Sequence, residues 1–183
     1  MDVILASASP RRQELLRYIV PDFKVIPADV DESIPENIDV SDVAQYLACK
    51  KAEHIGKIYP DSLVIGSDTV VVVGDEILGK PSDEKEAYDM LSKLSGKVHR
   101  VITGVCLVQG DRKESFSQET KVRFYELDES EILGYIKTGD PMDKAGAYGI
   151  QGEGCVLVEG IEGDFFTVMG LPVARLKRVL GNF

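Results

Sequence analysis

The sequence predicts an α/β fold in which helices flank a mixed sheet. Three observations predict it. Short β-rich runs alternate with stretches whose apolar residues recur at helical spacing. Two tight turns, Gly74-Asp75 and Gln109-Gly110-Asp111-Arg112, separate β-rich runs and call for antiparallel neighbours. No GxGxxG follows the first apolar run, so a dinucleotide-binding, purely parallel sheet is not indicated. The 183 residues, 44% of them hydrophobic and 28% charged, suit one domain over 1–183 with room for two lobes sharing a core around a central cleft.

Each element follows from its own pattern. Val3-Ile4-Leu5 reads as a buried strand, and Ser9-Pro10 as a helix start, with serine capping and proline in the first turn. Phe23 to Ile26 reads as a second strand. Ser41 to about Tyr59 is a helix with Ala44, Leu47, Ala48, Ala52 and Ile55 on one face. Leu63 to Ile65 and Thr69 to Val73 are two β-rich runs, and the turn at Gly74-Asp75 leads to Ile77-Leu78. Ser82 is placed to cap a helix with Ala87, Met90, Leu91 and Leu94 inward. Val98 to Val108 and Ser115 to Tyr125 form a long hairpin. Asp128 begins a helix with Ile132, Leu133 and Ile136 inward, Val156 to Val158 is a strand, and Pro172 opens a last helix on Val173, Leu176 and Leu180.

Composition excludes several classes. A formal net charge of −10 argues against a nucleic-acid binder, because counterion release needs a basic face. A small phosphorylated ligand stays open, since a few lysines and arginines can dominate a pocket. Cys49, Cys106 and Cys155 are widely spaced with no CxxC pair, which points to reduced thiols packed in the core of a cytoplasmic protein. No signal-peptide pattern and no apolar run near the ~20 residues of a membrane span is present, so no membrane role is expected.

Six segments carry residues suited to chemistry. Ser7-Ala8-Ser9-Pro10-Arg11-Arg12 runs from a strand into a helix start, where free N–H groups, the helix dipole and two guanidinium groups could hold phosphate. It could equally be an ordinary capped helix with solvated arginines. Asp31-Glu32 offers oxygen ligands for a divalent cation, or is a solvated acidic loop. Lys50-Lys51 could face a triphosphate, or solvent. Asp68, in Gly66-Ser67-Asp68-Thr69, could hold a metal or act as general base, or make local turn hydrogen bonds. Lys80, after a hairpin and before a helix, could face phosphate but fits no Walker pattern. Gln151 ends a glycine-rich stretch from Asp140 to Gly152 and could meet a base edge, or sit in a structural loop. His54, His99 and Tyr148 read as structural or surface residues, since neither histidine has a partner at ligand spacing.

Taken together, the segments Ile4 to Arg12, Gly66 to Val71, Gly79-Lys80-Pro81, Val98-His99 through Thr103-Gly104-Val105, Asp143 to Gly152 and Val168 to Pro172 resemble the Maf family of nucleotide pyrophosphatases, nearly end to end and in order. The resemblance implies an elongated mixed sheet flanked by helices, of the inosine triphosphate pyrophosphatase-like (Maf/Ham1) type, in a homodimer. It implies hydrolysis of a nucleoside triphosphate to the monophosphate and pyrophosphate, which limits incorporation of non-canonical nucleotides. The glutamine-bearing late loop looks like the branch acting on dTTP, UTP and modified uridine triphosphates. By the same resemblance Asp68 is the proton acceptor, and Arg12, Thr69 and Gln151 govern substrate choice. Ser67 departs from the alanine expected there in many relatives.

These readings combine into an expected mechanism. Mg²⁺ or Mn²⁺, held by Glu32 and Asp68, binds the triphosphate. Lys51, Lys80 and Arg11, with the Ser7–Ser9 cradle, meet its charge. The alternatives are a purine (inosine or xanthosine) triphosphate pyrophosphatase and a non-catalytic nucleotide-binding regulator of cell division.

Overall fold

The opening apolar run forms the strand β1 (Val3–Leu5), with Ile4 and Leu5 almost fully buried. In the computed structural model, which describes residues 2–183, β1 pairs in parallel with β2 (Lys24–Val25) on one side and β3 (Leu63–Val73) on the other. Ile4 stands opposite Val64 and Leu5 opposite Ile65. The expected break inside Leu63 to Val73 is absent. Gly66, Ser67 and Asp68 stay in the ladder and are buried, so Asp68 is a strand residue and not a turn aspartate.

The turn at Gly74-Asp75 sends the chain into antiparallel β4 (Glu76–Leu78). β5 (Val98–Gln109) and β6 (Arg112–Phe124) are joined by Gly110-Asp111, and β7 (Val158–Glu162) lies antiparallel to β6. The seven strands make one mixed sheet in the order β2-β1-β3-β5-β6-β7, with β4 on β3.

Six helices accompany it. α1 (Pro10–Arg17) is capped by Ser9 as expected. α2 (Val43–Ile58) buries the predicted stripe. α3 (Glu84–Leu94) is capped by Asp83, not Ser82: the Asp83 carboxylate accepts the Glu86 N–H, while Ser82 donates to the Glu86 carboxylate. A carboxylate satisfies the same orphan donor and adds charge favourable to the dipole.

α4 (Glu129–Ile136) opens with the Asp128–Glu131 capping box. Its inward face is Ile132, Tyr135 and Ile136, whereas Leu133 is exposed, because Tyr135 takes the place expected for it. Val156 lies exposed in a 3-10 turn before β7 and not in the strand. α5 (Phe165–Met169) is too short to show a period in the sequence. α6 (Val173–Asn182) buries Val173 and Leu176 but leaves Leu180 half-buried. Among the described residues no helix is long and apolar enough to cross a membrane.

The chain divides into two compact units. One holds the residues up to Thr69, Thr103–Gln118 and Gly170–Phe183; the other holds Val70–Ile102 and Glu119–Met169. In the first, α2 turns a face of small residues onto the strands. A Cβ on Gly66 would lie 2.3 Å from the Ala48 carbonyl oxygen, and one on Gly104 would lie 2.3 Å from that of Ala44. Helix backbone therefore rests directly on strand backbone, a spacing that only glycine permits. Cys106 is buried there and Cys49 half-buried, as the core reading expects, but Cys155 in the second unit is exposed.

The second unit packs α3 against α4 over Leu91, Leu94, Phe124, Ile132 and Leu157. His99 is buried in it, its Nε2 2.6 Å from the Tyr148 hydroxyl and its ring edge-on to Phe124 and Tyr148. Its Nδ1 is buried without a partner among the described residues. Burial pushes the imidazole pKa down to about 4 and the Tyr148 phenol up. Both groups are neutral packing elements, and His54 is exposed on α2.

Two outcomes follow. Gly66→Ala forces its methyl into α2 and costs about 3 kcal/mol or more, read as a fall in the urea midpoint. His99 is neutral in both states above pH 6.5; below it the unfolded chain takes up a proton that the folded chain refuses until about pH 4. Stability therefore drops by about 3 kcal/mol as pH falls through that window. Urea titrations from pH 7 to 4 show a shallower decline for His99→Gln than for wild type.

Candidate active site

The β1–α1 corner turns a surface arginine inward. Ser7, buried at the end of β1, accepts hydrogen bonds from the Ser9 N–H at 3.3 Å and from Arg12 Nη1 at 3.1 Å. Ser9 caps α1 by accepting the Arg12 N–H at 3.4 Å. The two serines thus take up part of the backbone cradle that the sequence offers to phosphate. Arg11 lies beside them, partly exposed.

Arg12 is held on three sides. Nε donates to the Gly170 carbonyl at 2.8 Å, Nη1 to Ser7, and Nη2 to Thr69 Oγ1 at 2.9 Å. A guanidinium group has five N–H donors in a rigid plane, so two remain for a ligand and their direction is set. Burial pushes the Arg12 pKa down, and the charge of Asp68 works against that shift; the group stays cationic. Behind it lie contacts the sequence reading misses. Thr69 Oγ1 is 2.9 Å from Thr103 Oγ1, and Ser67, fully buried, faces the carbonyls of Gly104 and Gly170 with one hydroxyl proton, at 3.1 and 3.0 Å. A hydroxyl inside the otherwise uncharged, largely apolar run from Val101 to Val108 is the signal that marks Thr103.

The second cluster is ionic. Lys51 on α2 places Nζ 2.5 Å from Asp68 Oδ1 and 2.8 Å from Glu32 Oε1. The Lys51 side chain is 12% exposed and that of Asp68 13%, while Glu32 is open to solvent at 58%. Neighbouring residues separate here. Asp31 turns to Ser33, whose hydroxyl and N–H donate to it and hold its pKa down. Lys50 stands 4.0 Å from Asp31 and over the Tyr46 ring. Of the Asp31-Glu32 and Lys50-Lys51 pairs, one member of each joins Asp68.

Lys80 and Gln151 belong to the second unit. Lys80 is exposed after β4, and the preceding Gly79 carbonyl accepts the Gly146 N–H at 3.0 Å. The stretch from Asp140 to Gly152 holds two short 3-10 turns, Asp140–Asp143 and Ala145–Ala147, and ends where a third begins. Lys144, buried, anchors it to Asp140 and Asp143, and Tyr135 Oη bridges Asp140 and the Gly149 N–H. Gly146 and Ala147 both take positive φ, at 70° and 59°. Ala147 stores strain that its full burial keeps in place. Gln151 emerges from this frame exposed.

The donor set fits a hard cation of modest demand. Two carboxylates, Glu32 and Asp68, converge on one ammonium position, so a cationic point there is already favoured. Among the described residues no group of three or more His, Cys, Asp or Glu converges on a metal position. Magnesium is ordinarily held by one or two carboxylates together with substrate phosphates, and the pair here matches that pattern.

Comparison with known proteins shows the family. A family model described as Maf-like protein matches residues 2–183. A dTTP/UTP pyrophosphatase from Bacillus pumilus is 47% identical over 181 residues, spanning 99% of this chain and 96% of that protein. One of the same name from Aquifex aeolicus is 48% identical over 180 residues, spanning 98% and 94%. Among solved structures, a HAM1 protein from Coxiella burnetii matches with a TM-score of 0.57 at 13% identity over 100% of both chains, a likeness of fold.

Lys51→Met strands Asp68 without its partner and destabilises the protein on the order of 3 kcal/mol. Adding Asp68→Asn recovers much of that loss. Denaturant titration of the two single variants and the double variant measures the coupling.

Proposed function

Because the chain belongs to the Maf family, we propose that it is a nucleoside triphosphate pyrophosphatase that hydrolyses dTTP and UTP to the monophosphate and pyrophosphate. The relatives of that name, similar over nearly their whole length, support the reading. The observation that carries it in this chain is Asp68, a nearly buried carboxylate held at one oxygen by Lys51, with Glu32 on the same ammonium group.

The chemistry needs a water activated beside the α-phosphorus. Asp68 Oδ1 is engaged by Lys51, which leaves Oδ2 to orient the water and accept its proton. The water oxygen forms a bond to the α-phosphorus. The bond from that phosphorus to the α–β bridging oxygen breaks, and pyrophosphate leaves with the bridging oxygen. Glu32 and Asp68 would hold a divalent cation, Mg²⁺ or Mn²⁺, which would offset phosphate charge. Lys51, whose ammonium group stands at Asp68 and Glu32, adds positive charge beside them. Arg11 supplies further positive charge and the Ser7–Ser9 corner shapes the approach; a charge-compensating role for Lys80 rests on the resemblance alone. Phosphoryl transfer depends on such positioning and charge compensation more than on covalent catalysis.

Base choice falls to Arg12 and Thr69, with Gln151 assigned to it by the resemblance alone. Uracil and thymine present N3–H between two carbonyl acceptors, whereas cytosine replaces one acceptor with an amino donor. A fixed donor rejects cytosine by facing donor with donor. Arg12, held by three acceptors, is such a donor. An exposed glutamine amide can flip, so Gln151 accommodates the base and does not by itself discriminate. A homodimer belongs to the same reading and rests on the resemblance; a cytoplasmic setting rests on the widely spaced cysteines with no CxxC pair.

Pyrophosphate release from a panel of canonical, modified-uridine and purine triphosphates tests the proposal. dTTP and UTP lead the panel, chelation abolishes turnover, and Mg²⁺ or Mn²⁺ restores it. Asp68→Asn loses on the order of 10³-fold or more in kcat while its thermal melt stays cooperative. Near-normal hydrolysis by that variant removes Asp68 as the base, and a preference for inosine triphosphate overturns the substrate assignment.

A further inference from the structure

α2 meets β5 and β6 along a row of residues one helical turn apart. Gln45 Nε2 donates to Ser115 Oγ at 2.9 Å, and Glu53 pairs with the Lys113 ammonium group. Cys49 lies midway between Gln45 and Glu53 on the same face of the helix. On β5, a Cβ on Gly104 would meet Ala44 and Gln45, and Val108 lies against Gly56. Cys106 stands between those two positions and, at a period of two, points the same way. Both rows bring the Cys49 and Cys106 sulfurs together, and the two thiols are hydrogen-bond partners. A disulfide needs Cα atoms within about 7 Å. Backbone rests on backbone at Gly104, one same-face position before Cys106, so helix and strand approach closely at this pair.

The two thiols differ in access. Cys106 is fully buried, whereas Cys49 is partly exposed. The bond to Cys106, aided by Ser115 and by the charge of Lys113, holds the Cys49 pKa down against burial, and the same bond together with burial pushes that of Cys106 up. Two thiols that share one proton release the other more readily, and the thiolate is the form that oxidants attack. We propose that Cys49 and Cys106 are a peroxide-reactive dithiol whose oxidation closes a disulfide between α2 and β5. The Cys49 thiolate attacks one oxygen of hydrogen peroxide. The S–O bond forms, the O–O bond breaks, and the departing hydroxide takes up a proton to leave as water. The Cys106 sulfur then attacks the Cys49 sulfur. The S–S bond forms, the S–O bond breaks, and the hydroxide leaves as a second water with the Cys106 proton. The two thiols lose two electrons and two protons in all, and the peroxide is reduced to two waters.

The test uses the folded full chain with the exposed Cys155 replaced, Cys155→Ser, which leaves these two thiols alone. The protein is treated with hydrogen peroxide, then unfolded for thiol counting and mass measurement. The expected result is loss of both thiols together and a fall in intact mass of two hydrogen atoms. A tryptic map joins the Cys49 and Cys106 peptides, and dithiothreitol restores both thiols. In concentrated guanidinium the joined product forms about 10-fold more slowly or less, because the fold no longer holds the sulfurs together. Adding Cys106→Ser stops the reaction at a sulfenic acid on Cys49, which dimedone traps. Adding Cys49→Ser instead leaves the buried Cys106 thiol intact through the same exposure. The unsubstituted pair is the primary reading, so the proposal stays testable if either of these core variants fails to fold. Retention of both thiols under peroxide that oxidises Cys155 of the wild type overturns the proposal. Oxygen added at Cys49 with the Cys106 thiol retained, joining between separate chains, or joining as fast in guanidinium as in the folded protein overturns it as well.

Discussion

The first unit depends on how closely α2 approaches the strands. At Gly66 and Gly104 there is no room for a methyl group, and the helix offers Ala44 and Ala48 in return. Backbone meets backbone, so the distance is set by hard contacts and not by adjustable side chains. Lys51 lies a few residues along the same helix, and Asp68 two residues along the same strand. The short bond between them follows from that contact: a larger residue at either glycine would lift the helix and carry the ammonium away from the carboxylate. The apolar face of α2 and the charged cluster are two consequences of one packing event.

Charge is arranged locally against the trend of the whole chain. The net charge of −10 disfavours anionic ligands in general, yet Arg11, Arg12, Lys50 and Lys51 all belong to the unit that holds Asp68. Lys51 makes a nearly buried aspartate tolerable by pairing with it, since an unpaired carboxylate there would be protonated or destabilising. Arg12 obeys a related economy. Three of its donors are spent on Ser7, Thr69 and Gly170, which costs it mobility and gives the remaining two a fixed aim. Fixed aim is what discrimination between similar bases requires, because a donor that can swing away imposes no penalty on the wrong partner.

The second unit solves a different problem, the support of a glycine-rich loop. Lys144 and Tyr135 hold Asp140 to Gly152 from within, and Ala147 sits in a conformation that only burial sustains. His99 and Tyr148 contribute packing there, with titrations displaced far from neutrality by desolvation. None of this network is visible as a motif. Lysine and tyrosine are common in loops, and their roles arise from which carbonyls and carboxylates surround them.

Much was legible in the chain itself. The mixed sheet follows from alternating periods and two tight turns, the buried face of α2 from its 3.6-residue spacing, and the family from ordered segments spread over most of the length. Asp68, Lys51, Glu32 and Arg12 could each be named from residue type and position, and Thr69 from the resemblance. Other features were not legible. Asp83 outcompetes Ser82 as a cap because both are good caps and only geometry chooses. Tyr135 displaces Leu133 from the core because a stripe one residue wide does not fix rotation. Asp31 parts from Glu32, and Lys50 from Lys51, because neighbours on a chain can face different partners. Residue types and their periods by themselves determined the elements, the family and the pool of reactive side chains, since these depend on local preference and order along the chain. Which members of that pool meet was decided by the tertiary structure, because a hydrogen bond is a matter of a few tenths of an ångström between residues far apart in sequence.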